Sequence, residues 1–541
     1  MNRKVIDIIF AFLVFALPFK YIPRIFWITT LGGPFGNDLV VYPLLIGFVY
    51  TFYCQWKYRN VFFKWAIFKK FILAYVGVLL VSLIWGLINY PYYDQILAGP
   101  ADQIEKLPKV LALLHGIGIS IAQKTLLEFW MLARPVKTVF FDTLYTFGAA
   151  YMIFCWYHDH VQRAIDILLK MTTVDLVIIA AYGLVDVCYQ NGQMWAQDFL
   201  MTVVPLLHAD VSATFDYYQP HTQLFLDAQN RSIFLEPSYF GIYMAFAFPL
   251  LWWNIFRQDN KRRQVALWLL FTVLAFEVFL TQSRTALAVN LGIFVILSVL
   301  TIYVRKKELL FLFAALCIGT GIGFTGAMGF IHYGQIPSAL GDRVPLATKW
   351  QMMQDKGELH KVNNSANVDD YFNQNLKSLS GNEKGAHGGS NHSRFTVQKT
   401  HIRIGLEHPL LGVGTTLRNG YLRDKLDKDP GGEIQLWNKN IDRYGLLRRG
   451  FANLGDFTLR FAETGLWGLG LYLFPALILL WKFGRKVLMR EIDPVQIAPF
   501  IFCLLSFLGI MATGLGDGLN ITFCYWTMMA VGYIVAEEKM P

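Results

Sequence analysis

The stretch Arg231-Ser-Ile-Phe-Leu-Glu236-Pro-Ser sets a guanidinium and a carboxylate five positions apart at the start of an apolar run. A guanidinium there can grip a phosphate through two parallel N–H bonds, while the carboxylate steers a proton or orients the arginine. The same residues fit a plainer role, an interfacial arginine reaching toward headgroups beside a Glu-Pro helix start. A second cation, Arg284, stands in the turn Thr281-Gln-Ser283-Arg284-Thr-Ala, which joins two apolar runs and holds no acidic residue. An uncompensated arginine costs about 2–3 kcal/mol at mid-membrane and less near the interface. Either a bound anion or the headgroup region must supply its counter-charge.

The elements that position these residues are read from charge and hydropathy. Apolar blocks of about 20 residues, the length that crosses a hydrocarbon core of about 30 Å, recur along the chain. They lie near 5–22, 38–56, 71–89, 136–157, 172–190, 234–256, 265–281, 285–304, 308–328, 456–481, 495–513 and 518–536. Five clusters of Lys and Arg, at 57–70, 163–170, 257–263, 305–307 and 482–490, fall between them. Cytoplasmic loops collect positive charge, and one alternation from an inside N-terminus places all five clusters inside. Val5–Tyr21 follows Met-Asn-Arg-Lys as a signal peptide would, but Pro18, Phe19 and Lys20 stand where a small-x-small cleavage site belongs. It reads as a retained first span. The short apolar stretch 107–122, interrupted by Gly116 and Gly118, would put every later cluster outside if it crossed. It is therefore expected to be re-entrant or interfacial.

These readings predict an all-α polytopic membrane protein with about 12 transmembrane helices and one large, partly helical extracytoplasmic loop. Residues 1–330 form a nine-span bundle with an outer loop at 191–233, 331–455 form the extracytoplasmic domain, and 456–541 form a three-span C-terminal part. Within the outer loop, the apolar Phe199–Leu207 suits the membrane surface. Within 331–455, the tract 355–393 is rich in Asn, Ser, Gly and Asp and poor in large apolar residues, a composition that predicts mobility. After it, Phe395, Ile402, Ile404 and Leu406 alternate with Arg394, Gln398 and His401 as on an amphipathic helix. His408-Pro409 ends that helix, and Gly412 and Gly414 permit a tight turn.

Composition excludes several classes. Charged residues make up 16% of the chain, against about 25% in an ordinary soluble domain. The net charge of +10 resides largely in loops that would face anionic lipid, so it needs no nucleic-acid partner. The six cysteines lie in or beside apolar segments, outside the large outer loop, and match no zinc spacing. The outer histidines His360, His387 and His392 suggest no metal site either.

Four pieces occur in a telling order: Arg231-x4-Glu236-Pro-Ser, Ser283-Arg284-Thr-Ala, Glu407-His408-Pro-Leu-Leu-Gly-Val-Gly414 and Phe461-Ala-Glu463-Thr-Gly465-Leu-Trp-Gly468. The series resembles the O-antigen ligase and O-antigen polymerase (Wzy-like) superfamily, best over about 230–475. The resemblance implies a metal-independent, cofactor-free glycosyltransferase of the bacterial cytoplasmic (inner) membrane. Its donor would be an undecaprenyl-pyrophosphate-linked oligosaccharide used on the periplasmic or extracellular side, and its partners the bilayer, a chain-length regulator and a flippase. By position, Arg231, Arg284 and Arg394 match arginines expected to hold the donor pyrophosphate. Ligases of the superfamily carry a His followed by Asn, Ser or Gln eleven residues before the first Gly of the late Gly-x-x-Gly. Here that position reads Leu454-Gly455, a departure that favours a polymerase of lipid-linked repeat units over a ligase. A polysaccharide transporter is a third reading, but it should place charges at mid-membrane and show repeated halves. Transfer to a sugar hydroxyl benefits from a general base, for which Glu236, His401 and Glu463 are the candidates. His401 also fits an ordinary polar-face histidine.

The topology has a direct test. A cysteine at Ser390 is expected to react with an impermeant thiol reagent added outside, and one at Lys261 to be protected. The reverse pattern would remove the outer-face placement of every residue named above.

Overall fold

The computed structural model describes residues 2–59, 66–104, 106–191, 193–208, 229–334, 388–426, 431–488, 494–516 and 522–537. Among these residues the secondary structure is helical, with no strand. Seven helices are long and apolar enough to cross a membrane: Phe68–Ile88, Gln123–Tyr157, Pro237–Arg257, Lys261–Leu280, Arg284–Val304, Lys307–Gly334 and Asp456–Leu488. Five more, Arg3–Ala16, Val41–Tyr58, Val161–Gln190, Pro494–Thr513 and Thr522–Glu537, stand at the other positions where hydropathy predicts spans. On the helix Arg284–Val304, Leu291, Val295, Val299 and Ile302 are exposed at spacings of three and four. That apolar stripe turned outward suits lipid rather than water. Helix Pro237–Arg257 is the opposite case, buried on nearly all its faces. Gly241 admits Ala286 and Gly509 admits the Ala245 carbonyl, so small residues let the central helices approach closely.

The short apolar stretch forms the helix Lys106–Gly116. At 1.5 Å per residue it is roughly 16 Å long, and of its side chains only Leu107 is buried. Helix Met194–Leu207 contains the apolar part of the 191–233 loop. The tract predicted to be mobile lies outside the described residues up to 387. Its last residues, 388–393, open the helix Gly388–Glu407.

Helices Gly388–Glu407, Arg418–Lys425 and Gly431–Tyr444 share a second apolar core with Tyr90, Tyr92, Tyr93, Ile104 and Leu127. This caps the ends of the helices Phe68–Ile88 and Gln123–Thr143. The cap is tied to the bundle by a break in the helix Asp456–Leu488. At Gly465 the backbone turns to φ 62°, ψ −162°, a region open essentially only to glycine. The break frees the carbonyls of Ala462 and Glu463 and the amides of Leu466 and Trp467. All four find partners in the Pro409–Gly414 turn. Val413 N–H donates to Ala462 (3.0 Å) and Gly414 N–H to Glu463 (3.0 Å), while Leu466 N–H donates to Pro409 (2.8 Å) and Trp467 N–H to Leu410 (3.4 Å). Ser82 Oγ clamps the junction, in reach of both the Leu411 carbonyl (2.7 Å) and the Glu463 carbonyl (2.8 Å). A Cβ at Gly465 would stand 2.4 Å from the Leu410 carbonyl.

Gly465→Ala is therefore expected to lose about 1–3 kcal/mol through backbone strain alone, with the Leu410 contact adding to it. Gly470, on the same helix, has open space where its Cβ would be, and Gly470→Ala should be neutral or slightly stabilising. Thermal unfolding of both variants in detergent checks the contrast; equal melting temperatures would refute the role given to the break.

Candidate functional site

Beside the break lies a cavity of about 520 Å³. Three cations reach its wall, Lys20, Arg418 and Arg460, together with four carboxylates, Asp38, Asp142, Asp456 and Glu463. Asp456, Arg460 and Glu463 share one face of the broken helix because their spacings of four and three match its pitch. Arg418 arrives from the other side of the hydrogen-bonded junction, at the first position of the helix Arg418–Lys425, just after Thr416 at φ 69°. Lys20 and Asp38 come from the stretch between the helices Arg3–Ala16 and Val41–Tyr58, and Asp142 from Gln123–Thr143.

The charges are arranged in couples. Arg418 Nε lies 3.8 Å from Glu463 Oε1, and its other nitrogens meet His401 Nε2 at 3.1 Å and the Phe451 carbonyl at 3.2 Å. Burial works against the Arg418 charge and Glu463 supports it. Asp456 accepts from Tyr472 Oη at 2.8 Å. Arg460 stacks over the Tyr472 ring at 5.2 Å, and its Nε is buried with no hydrogen-bond partner. A charged group held in low dielectric with an unused donor is poised to bind an anion.

The structure unites two of the residues proposed from sequence as bases and separates the third. Glu463 lines the cavity. His401 is fully buried behind it, in contact with Arg418, and Thr458 Oγ1 stands 3.5 Å from its Nδ1. Glu236 is the residue before the helix Pro237–Arg257 and accepts from Ser238 Oγ at 3.1 Å. Its neighbours Leu235 and Tyr239 line a second, much smaller cavity, which shares Lys20, Asp38 and Phe523 with the large one.

The three arginines proposed for the pyrophosphate sit on segments that touch. Asn230 N–H donates to Leu280 (3.0 Å), Gly241 packs on Ala286, and Arg394 donates to the Gly516 carbonyl at 2.6 Å. Gly516 in turn faces Thr285, and Asp456 N–H donates to Gly514 at 2.9 Å. The Arg284 turn and the Arg394 helix thus meet beside the strip 514–516, which borders the cavity at Asp456. Arg231 is different. It is 3% exposed, its Nη1 donates to Leu235 at 3.2 Å, and its backbone N–H and that of Ser232 both donate to Asp186. Burial, and after it the Arg231 charge, pushes the pKa of His208 down to about 4. None of the three lines the large cavity.

Among the described residues, no group of three or more His, Cys, Asp or Glu side chains is placed to hold a metal ion. Arg418, Arg460, Asp142, Asp456, Lys20 and Asp38 were not singled out from sequence. For Asp142 and Arg460 a signal existed, since a charge inside an apolar span marks a site by default. Arg418 carries no such signal.

An all-helical membrane protein with a charge-lined cavity under a polar cap is the class this architecture defines. Within it, residues 269–441 match the family model described as O-antigen ligase. The match bears out the resemblance to the O-antigen ligase and polymerase superfamily and supports a membrane enzyme of glycosyltransferase type. No curated protein matches the chain.

The His401 environment yields a pH prediction. Burial, then the Arg418 charge, holds its pKa well below the usual 6.5, so the folded ring stays neutral where the unfolded chain takes up a proton. Stability from this group is full above about pH 6.5 and falls below it by up to about 1.4 kcal/mol per pH unit until the folded pKa is reached. His401→Gln should flatten the drop in melting temperature between about pH 7.5 and pH 5.5 relative to the natural protein. An unchanged slope would mean that the folded ring is charged.

Proposed function

We propose that this chain is a polymerase that joins undecaprenyl-pyrophosphate-linked oligosaccharide repeat units into a surface polysaccharide on the outer face of the bacterial cytoplasmic membrane. Twelve spans with both termini inside would set the cavity and its cap on that face. The observation that carries the reading is Arg460, a buried guanidinium with an unused donor in a cavity edged by the segment that matches the O-antigen ligase model. Breaking the sugar–pyrophosphate bond places negative charge on the leaving group. Guanidinium groups already fixed in a low-dielectric cavity stabilise that charge without reorganising. Arg460 and Arg418 take that role inside the cavity, while Arg284 and Arg394 receive the pyrophosphate where their segments meet. Arg231, tied to Asp186 and Leu235, positions the segment between them. Glu463 and His401 hold Arg418 in place from two sides. Arginines in these positions leave the reaction no need of a metal ion.

Polymerase is favoured over ligase by Leu454. Leu454 occupies the sequence position at which the resemblance expects a ligase histidine; its side chain is buried in the cap core and its carbonyl accepts from Gln398. The match to the O-antigen ligase family keeps ligase as the second reading.

The test is a deletion strain complemented with variants and examined for its surface glycan. Loss of polymer with single repeat units retained is expected. Arg460→Ala should lower polymer formation by about 10²–10³-fold, the cost of one fixed donor to a developing anion. Arg460→Lys should keep part of it, since the charge remains but the planar fork is lost. Polymer accumulating on the lipid carrier would identify a ligase, and repeat units trapped on the inner face a flippase. Normal polymer from Arg460→Ala would sink the cavity as the site.

A further inference from the structure

We infer that Asp142 is the carboxylate that receives the acceptor sugar hydroxyl and takes its proton, an assignment that rests on the cavity being the glycosyl-transfer site. Four carboxylates reach the cavity, and three are engaged. Glu463 faces Arg418, Asp456 accepts from Tyr472, and Asp38 lies in the field of Lys20 and accepts from the backbone at Tyr21, with its Oδ1 left without a partner. Asp142 has no hydrogen bond or ion pair from its carboxylate among the described residues, and the charge that acts on it most strongly is Arg460. The unused base and the unused guanidinium donor therefore belong to one cavity, as a transfer reaction requires.

The wall around Asp142 has the character of a sugar site. Thr138, Thr143 and Thr146 line the cavity with it, at positions −4, +1 and +4 from Asp142 along the same chain segment. Thr138 and Thr146 donate to carbonyls one turn back, which leaves their oxygen lone pairs as acceptors. Thr143 Oγ1 is buried with no partner. Immediately after Asp142 the helix widens into a single π-turn, Leu144–Gly148, a distortion that clusters at functional positions. The segment Thr138–Thr146 thus brings hydroxyls and a carboxylate to the lining, while the guanidiniums come to it from other segments, at Arg418 and Arg460. Phe147 and Trp526, with ring centroids 4.2 Å apart, both belong to the same lining, and apolar ring faces suit the C–H faces of a pyranose.

The acceptor hydroxyl oxygen forms a bond to the anomeric carbon of the donor sugar, and its proton passes to the Asp142 carboxylate. The bond from that carbon to the pyrophosphate oxygen breaks, and its electron pair leaves on the lipid pyrophosphate, facing Arg460 and Arg418. The proton on Asp142 later returns to water.

Two measurements on purified full-length protein and complemented cells decide the matter. Asp142→Asn should cut polymer formation by about 10²–10⁴-fold, the usual contribution of a general base. Its binding of undecaprenyl pyrophosphate, the donor-site probe, should stay within about twofold of the natural protein. Asp142→Glu keeps the base and should restore part of the activity, with a pH–rate profile shifted from the natural one. Normal polymer from Asp142→Asn beside an inactive Arg460→Ala would overturn the role of Asp142 and leave the function standing. Equal loss of probe binding in both variants would also overturn it, since Asp142 would then be supporting the cavity rather than the acceptor. Normal polymer from both variants would bring down the underlying reading as well.

Discussion

The exchange of four backbone hydrogen bonds at Gly465 is the constraint on which the cavity depends. A helix within the hydrocarbon region cannot leave amides and carbonyls unpaired, so a break there must be filled by another stretch of chain. The Pro409–Gly414 turn fills it, bond for bond. This explains glycines that would otherwise look unrelated. A Cβ on Gly412 would stand 2.3 Å from the Glu463 backbone, and one on Gly86 would stand 2.3 Å from the Val413 carbonyl. The two sequence pieces Glu407–Gly414 and Phe461–Gly468 are thus two halves of one joint. Arg460 and Glu463 lie on one side of it and Arg418 on the other, so the joint sets the distance between the charges that face the cavity.

Coupling between cap and bundle follows from the same geometry. Helix Gly388–Glu407 packs along the first turns of the broken helix, with Gly405 against the Phe461 ring and Gln398 on the Leu454 and Leu515 carbonyls. His401 sits in this contact and reaches Arg418. A neutral imidazole suits that place, because it accepts a hydrogen bond from a guanidinium without adding a second positive charge to a buried site. A lysine or a protonated histidine there would set like charges side by side in low dielectric.

Much of the helical architecture was legible because hydropathy and loop charge are local properties of the chain. The helix from Arg394 on, its end at His408-Pro409 and the turn at Gly412 and Gly414 were legible from local pattern as well, whereas residues 388–393, expected to be mobile from their composition, open that helix. The cavity was not. Its charged residues come from five separate stretches, around Lys20, Asp38, Asp142, Arg418 and Arg460, and no local pattern announces that they converge. Arg231 shows the converse. Its spacing to Glu236 is local, but its other partners are not all so: the guanidinium donates to the Leu235 carbonyl, and Asp186, 45 residues away in sequence, takes the adjacent backbone amides. Spacing along a chain places two side chains at the same membrane level, but helix packing decides which partner each one meets.

Arg460 links the two walls of the cavity electrostatically. In the resting protein its positive charge faces Asp142 and Asp456, and a cation that close stabilises a carboxylate and weakens it as a proton acceptor. A pyrophosphate docking on Arg460 would supply negative charge of its own and cancel much of that field. Asp142 would then become a better proton acceptor at the moment the donor sugar is in place. The same guanidinium would thereby stabilise the leaving group and link the donor's arrival to the carboxylate across the cavity.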